Sequence, residues 1–238
     1  TVYTREQWGS SLPRGGYAIA GQVGEAYVHH FNSGITAPRT VDEAMARMRG
    51  AQAYHANTQG WGDIGYSWCV DELGNIYEGR GWFRTGAHTY GYNSKGYGIC
   101  WLGDSNVAVP SDAAIAAVAE CVRMGVAAGA LVDGPTVVAH RDRVPDTACC
   151  GDPMYLRLDD IRRLVAVGGV PEDGGEDKDK DMPALLCNID GSIYGCFADG
   201  IWRMLGGAEY THWSAKGVDQ VAYTKDEWAT LRGWGRVA

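Results

Sequence analysis

Two periodicities take turns along the first two-thirds of the chain. The run Glu25-Ala26-Tyr27-Val28-His29-His30-Phe31 is short and rich in β-formers, which predicts a strand with His29 near its end. Thr40-Val41-Asp42-Glu43 reads as a capping box, with Thr40 as N-cap and Glu43 at the third helical position. The helix it opens carries Met45, Met48 and Tyr54 near one face. His55 ends that helix, where a cation beside the last carbonyls is mildly favourable. Residues 66–70 and 75–78 flank Asp71-Glu72-Leu73-Gly74 as a hairpin, and residues 96–102 form another short apolar strand. Ser111-Asp112 opens the most regular helix, with Ile115, Val118, Val122 and Val126 on one stripe and Cys121 beside it as a small core residue. Residues 137–140 predict a further strand and residues 156–165 a short helix, while residues 1–24 read as an irregular, Gly-rich entry. Strands interleaved with helices of unequal length imply an α/β fold with a mixed central β-sheet flanked by helices.

The pattern breaks at residues 168–182. Gly168-Gly169, Pro171, Gly174-Gly175 and the run from Glu176 to Asp181 cannot bury a core and read as an acidic, Gly-rich linker. Residues 183–238 are rich in aromatics. There Asp190-Gly191 and Asp199-Gly200 each precede an apolar pair, Ile193-Tyr194 and Ile201-Trp202, which predicts successive hairpins in a small β-rich module. The organisation is therefore a domain over 1–167, a linker over 168–182 and a module over 183–238. A module this small has a limited core, so its aromatics serve packing or act as ligand platforms.

Composition narrows the class. The 238 residues suit one full domain plus something small, and 45% hydrophobic residues with nine Trp supply a real core. A formal charge of -8 argues against nucleic acid as the main partner. No apolar run is long enough to span a bilayer, and no basic-then-apolar leader opens the chain, which begins at Thr1. The seven cysteines are odd in number and sparse, which favours synthesis in a reducing cytoplasm, with Cys187–Cys196 as one bridge left open.

The chemistry concentrates in residues 137–152. A strand delivers His140, a Pro- and Asp-bearing loop follows, and then come Cys149 and Cys150. An imidazole and a thiol on one short loop suit a metal that takes nitrogen and sulfur ligands, above all zinc. Two ligands do not hold a catalytic zinc, and His29 is the candidate third. His30 points to the opposite face of a regular strand and reads as a packing or supporting group. A cysteine hydrolase using Cys149 or Cys150 with a histidine base is the rival chemistry.

These residues resemble the zinc signature of the N-acetylmuramoyl-L-alanine amidases, which share their fold with peptidoglycan recognition proteins and amidase-type phage lysozymes. The resemblance rests on His29, on His140-Arg141-Asp142 and on Thr147-Ala148-Cys149. It extends to Asp63-Ile64-Gly65-Tyr66-Ser67-Trp68, to Tyr77-Glu78-Gly79-Arg80-Gly81-Trp82, to Gly86-Ala87-His88-Thr89 with Gly91-Tyr92-Asn93, and to Arg5 and Trp8-Gly9 at the opening. It covers roughly residues 3–166 in order. It implies zinc (Zn2+) held by His29, His140 and Cys149, with a water in the fourth position. It also implies hydrolysis of the amide between the lactyl group of N-acetylmuramic acid and L-alanine, and bacterial peptidoglycan as partner. Tyr66 stands at the family's catalytic tyrosine, and Thr147 where members carry Lys or Thr, as a hydroxyl for the oxyanion. His88, Tyr92 and Asn93 match the substrate groove.

Two features depart from the family. One extra residue separates His140 from Cys149, with Asp146 as the insertion, and Cys150 stands where proline is common. The spacing of Thr, one residue, then Cys selects Cys149 and leaves Cys150 as a competitor. The aromatic tail resembles the wall-binding modules of phage lytic enzymes, so a phage endolysin is the expected setting. A non-catalytic recognition module is the other family reading, although such modules typically lack the cysteine ligand.

Overall fold

The computed structural model describes residues 1–31 and 33–167, together with the backbone of four strands further along the chain. The chain separates into two compact units, Thr1–Val170 and Pro171–Ala238.

In the first unit the elements run β1 (Val2–Tyr3), β2 (Val23–His30), α1 (Val41–Ala53), β3 (Trp68–Val70), β4 (Ile76–Glu78), β5 (Gly96–Trp101), α2 (Asp112–Ala127), β6 (Leu131–Ala139), α3 (Asp152–Tyr155) and α4 (Leu158–Ala166). They build one six-stranded sheet in the order β1-β4-β3-β5-β2-β6. Only β3 and β4 pair antiparallel, as the hairpin around Asp71–Gly74 requires, and every other neighbour pair is parallel. The mixed sheet flanked by helices is the fold the sequence implied.

Strand alternation divides the residues between two faces. Ala26 and Val28 of β2, Trp68 and Val70 of β3, Ile99 and Trp101 of β5, and Val137 and Ala139 of β6 are buried in one core cluster. That cluster includes Ile115, Val118, Cys121 and Val122 of α2 and Leu158 and Ile161 of α4. Each large aliphatic side chain fully buried here contributes about 1.5–3 kcal/mol. The intervening residues look the other way. Cys69, Tyr77 and Cys100 cluster with Trp8 and with Ala44, Met48 and Ala51 of α1.

Register then places the chemistry. Cys69 lies opposite Tyr77 and Cys100, Cys100 opposite His29, and Val28 opposite Ala139. The row under α1 therefore continues sideways to His29, with His140 one step beyond the last paired residue of β6.

Local detail follows the sequence with some corrections. Thr40 caps α1 by accepting the Glu43 N–H at 3.2 Å, but the Glu43 carboxylate accepts from Arg39 N–H at 2.7 Å, one residue earlier than a capping box would have it. The buried stripe of α1 comprises Ala44, Met48, Ala51 and Gln52; Tyr54 is exposed, and the chain widens there into a π-helical turn, Tyr54–Thr58. Ser111 caps α2 as expected, accepting the Ala114 N–H at 3.1 Å. The short helix expected over residues 156–165 is α4, and a further short helix, α3, precedes it where none was expected. The irregular entry contributes the short strand β1, and Arg5 pins it: its guanidinium bonds Asp63 at 2.9 Å and the Gly79 carbonyl at 2.7 Å. Among the described residues no helix is long and apolar enough to cross a membrane.

The second unit holds β7 (Leu185–Ile189), β8 (Ser192–Cys196), β9 (Trp202–Met204) and β10 (Gln220–Tyr223) in a sheet of order β10-β7-β8-β9. β7 with β8 and β8 with β9 pair antiparallel, and β10 joins β7 parallel. The side chains of Cys187 and Cys196, and with them the bridge left open above, lie outside the described residues, as does His212.

Candidate metal centre

Three elements deliver the ligand-type side chains. His29 is the penultimate residue of β2, His140 begins the 3-10 turn His140–Asp142 directly after β6, and Cys149 comes from the loop beyond. One ligand atom from each of the three lies within 4.8 Å of the others. His29 Nδ1 is 3.6 Å from Cys149 Sγ, and the two imidazole centroids are 4.8 Å apart.

The loop is folded back on itself to achieve this. Arg141 N–H donates to the Cys149 carbonyl at 2.8 Å, the Arg141 guanidinium to the Ala148 carbonyl at 3.0 Å, and Cys149 N–H to Thr147 Oγ1 at 3.3 Å. Asp142 closes the other end by accepting the Ala139 N–H at 2.8 Å. The two thiols part company here. Cys149 faces His29, whereas Cys150 is fully buried in the core that holds Met154, and its carbonyl accepts the Ser105 hydroxyl. His30 does point away from His29: its Nδ1 accepts the Ser105 N–H at 3.0 Å, beside Asp104.

The electrostatics suit a divalent cation with nitrogen and sulfur preference. Burial first, then His88 and His140, holds His29 well below the ordinary imidazole pKa, and burial followed by His30 lowers His140. Both rings are neutral and keep a lone pair to offer. Burial pushes the Cys149 thiol up to about 12, against the opposing pull of the His30 N–H and the Arg141 charge. Without a cation this sulfur keeps its proton at neutral pH, and a metal between the three residues would displace it. Two neutral imidazoles and one sulfur that ionises on coordination form a donor set that fits zinc.

Tyr66 lies just before β3, half-buried, with its ring centroid 5.3 Å from that of His29. Burial first, and then the neighbouring Cys100 and Cys149 sulfurs, raises its pKa well above the ordinary phenol value, so it remains a donor. Its backbone is held closely: Arg80 N–H donates to the Tyr66 carbonyl at 3.0 Å, and a Cβ at Gly79 would come within 2.3 Å of that oxygen. Only glycine fits there.

The remaining expected site residues divide. The Thr147 hydroxyl accepts the Cys149 N–H, as above. Asn93 braces a loop, its Oδ1 accepting the N–H groups of His88 and Thr89 at 2.9 Å each. His88 is buried, its Nδ1 3.2 Å from His29 Nε2. Tyr92 is half-buried, edge-on to Tyr27 at 6.4 Å, with Lys95 Nζ 4.6 Å over its ring.

His55 corrects the sequence reading. It is no cation at a helix end: it is buried, stacked on Trp61 at 4.9 Å and 5.7 Å from the Tyr66 ring, and it accepts the Gly65 N–H at 3.1 Å. Burial, with the Arg80 charge, depresses its pKa to about 4, so it is neutral. The available signal was helical spacing, since 48, 51, 52 and 55 continue the buried stripe of α1.

Residues 24–152 match the protein family described as N-acetylmuramoyl-L-alanine amidase. A human N-acetylmuramoyl-L-alanine amidase is 40% identical over 158 residues, covering 65% of this chain and 27% of that protein. The chain thus spans about a quarter of the mammalian relatives it matches, 27% of the human and 26% of the pig protein. Peptidoglycan-recognition protein SC2 of Drosophila simulans is 32% identical over 66% of this chain and 84% of its own length. Among solved structures, wild-type Drosophila PGRP-LB superimposes with a TM-score of 0.63 at 30% identity, covering 67% of this chain and 92% of that one. A tyrosine-to-phenylalanine variant of PGRP-LB in complex with tracheal cytotoxin gives 0.63 at 29% identity, covering 66% and 92%.

Proposed function

Because the chain belongs to the N-acetylmuramoyl-L-alanine amidase family, we propose that its first unit hydrolyses the amide between the lactyl group of N-acetylmuramic acid and L-alanine in bacterial peptidoglycan, using one zinc ion. The observation that carries this reading is the convergence of His29, His140 and Cys149 to within 4.8 Å beside Tyr66. Bound there, zinc supplies a Lewis acid for the amide carbonyl and a water acidic enough to ionise near neutral pH.

The chain's own residues do the rest. His29 and His140, neutral through burial, present lone pairs without a competing proton. Thr147 fixes the backbone of Cys149 and keeps its own hydroxyl proton for a hydrogen bond to the developing oxyanion. Tyr66, held protonated, donates to the same oxygen as charge builds there. Tyr92, half-buried beside Tyr27, offers a ring face to the glycan or peptide.

Cys149 as a ligand weighs against a purely binding role. A thiol held near 12 weighs against a metal-independent cysteine nucleophile. The reading extends to residues 183–238 as a wall-binding unit, supported by its aromatic composition and by the acidic, Gly-rich stretch over residues 168–182 that leads into it. It extends also to a phage endolysin, made in the host cytoplasm and acting on the host wall, as the setting.

The test is chemical. Isolated peptidoglycan treated with the protein should gain free L-alanine amino termini, detectable by dinitrophenylation; chelation should stop this and zinc should restore it. Wall binding without new L-alanine termini would leave a recognition protein in place of an enzyme.

A further inference from the structure

We infer that His88 is the positioning residue of the metal centre: its Nδ1 accepts the Nε2–H of His29 and so fixes the tautomer that presents His29 Nδ1 as ligand. This rests on the zinc reading and gives His88 a role other than contact with substrate.

His29 lies between two sets of partners. Its Nδ1 faces Cys149 Sγ at 3.6 Å, while its Nε2 faces His88 Nδ1 at 3.2 Å and Thr89 Oγ1 at 3.4 Å. A neutral imidazole carries one N–H, and a nitrogen that holds a proton does not ligate. For Nδ1 to coordinate, the proton must sit on Nε2. His29, His88 and Thr89 are all buried, so that proton needs a protein acceptor. Among the described residues the two within reach are His88 Nδ1 and, farther away, the Thr89 hydroxyl. That hydroxyl itself lies 2.9 Å from His88 Nδ1 and turns its own proton aside when that nitrogen accepts from His29.

The acceptor is itself held in place. Asn93 grips the backbone of His88 and Thr89, as described above. The ring rests in a slot made by two glycines, since a Cβ at Gly98 would come within 2.5 Å of it and one at Gly86 within 2.1 Å. With Nδ1 accepting, His88 carries its own proton on Nε2, an atom without a hydrogen-bond partner among the described residues. A buried nitrogen left in that state is unfavourable, so packing alone does not account for a histidine here. Ligating histidines ordinarily donate to a carboxylate, a carbonyl or water. Here the acceptor is a neutral imidazole, which orients the ligand without adding charge to the centre.

Two polar, uncharged replacements separate positioning from packing. In His88→Asn the side-chain oxygen falls near the lost Nδ1, whereas in His88→Gln it reaches towards the lost Nε2. Zinc affinity of the full chain is measured by competition with a chromophoric chelator, and melting of the metal-free protein controls for folding. Glutamine should weaken zinc by about 10–100-fold and asparagine by no more than about threefold, with similar metal-free melting. Wild-type affinity in His88→Gln overturns the inference, and so does equal weakening in both variants. Nitrogen NMR of the zinc-loaded wild type needs no variant: His29 should show a protonated Nε2, and a metal-bound Nε2 overturns the inference. Wild-type protein that takes up no zinc sinks the functional reading as well, which distinguishes the two failures.

Discussion

Acid should weaken this fold through His55. Burial, aided by the Arg80 charge and partly opposed by Asp63, holds the folded-state pKa at about 4, against an ordinary value of 6.5. The unfolded chain takes up its proton as pH falls through about 6.5, and the folded form does so only near 4. A depressed folded pKa means this contribution is complete above the unfolded value and is lost as pH falls towards the folded one. At about 1.36 kcal/mol per unit the full displacement is worth roughly 3 kcal/mol, of which about 2 kcal/mol is gone by pH 5. His55→Asn removes the titrating ring and keeps an acceptor for the Gly65 N–H. Urea unfolding of both chains at pH 7.5 and pH 5, in chelator, isolates the effect, because the other titrating groups cancel between them. The variant should be the less stable chain at pH 7.5, having lost the stack on Trp61, yet should lose about 2 kcal/mol less than wild type on going to pH 5. Equal losses in the two chains would refute a neutral, buried His55. Charging His55 in the folded chain removes the acceptor of the Gly65 N–H, directly before Tyr66, so turnover should fall by this route only as pH approaches about 4.

Other outcomes follow from the same geometry. Chelation should abolish wall hydrolysis and iodoacetamide should act slowly, because the Cys149 thiol is held near 12 without metal and shielded with it; immediate loss to alkylation and indifference to chelator would reverse the chemistry. Tyr66→Phe should keep stoichiometric zinc and lose about 10²–10³ in kcat, and wild-type turnover would reduce Tyr66 to packing. Cys149→Ser should lose zinc and activity together. Cys150→Ser should keep zinc but unfold more easily, by about 1–3 kcal/mol, since its hydroxyl enters a fully buried core; the opposite pattern of metal content would move the ligand one residue along.

What the sequence made legible was whatever residue type and spacing alone can specify. The convergence of His29, His140 and Cys149 was readable because each is of a ligand type and stands at the end of a strand-like run or in the loop that follows one. Arg5, Asp63 and Arg80 were readable as motif residues but not as partners. The structure uses them as internal ties, Arg5 to Asp63 across 58 positions and Arg80 to the Ile64 carbonyl at 2.7 Å. Such a pairing has no local signature. His55 failed differently: its helical face was in the pattern, but its neutrality depends on Trp61 and Gly65 packing against it. His88 lies in a glycine-rich stretch that reads as groove, and only the Asn93 brace and the slot over Gly98 turn the ring towards His29.

The apolar core is what keeps the candidate ligand side chains in register. In β2 the even-numbered residues Ala26 and Val28 are fully buried against the α2 and α4 side, and the odd-numbered His29 therefore faces the other way. In β6 the order reverses, with Val137 and Ala139 in the same core and His140 following on the ligand side. A slip of one residue in β2 would exchange every side chain between faces. It would offer His30 in place of His29 and drive an imidazole into the position Val28 fills. That exchange forfeits about 1.5–3 kcal/mol for the valine and adds about 1–3 kcal/mol for a buried ring nitrogen without a partner. Several kcal/mol thus hold His29 beside Cys149 before any metal arrives. Because β2 pairs parallel with both β5 and β6, His29 and His140 also emerge at the same, carboxyl ends of neighbouring strands, where open α/β sheets place their ligands. A core substitution such as Val28→Ala acts on the same balance. It should therefore loosen zinc as well as the fold, although Val28 faces away from the metal.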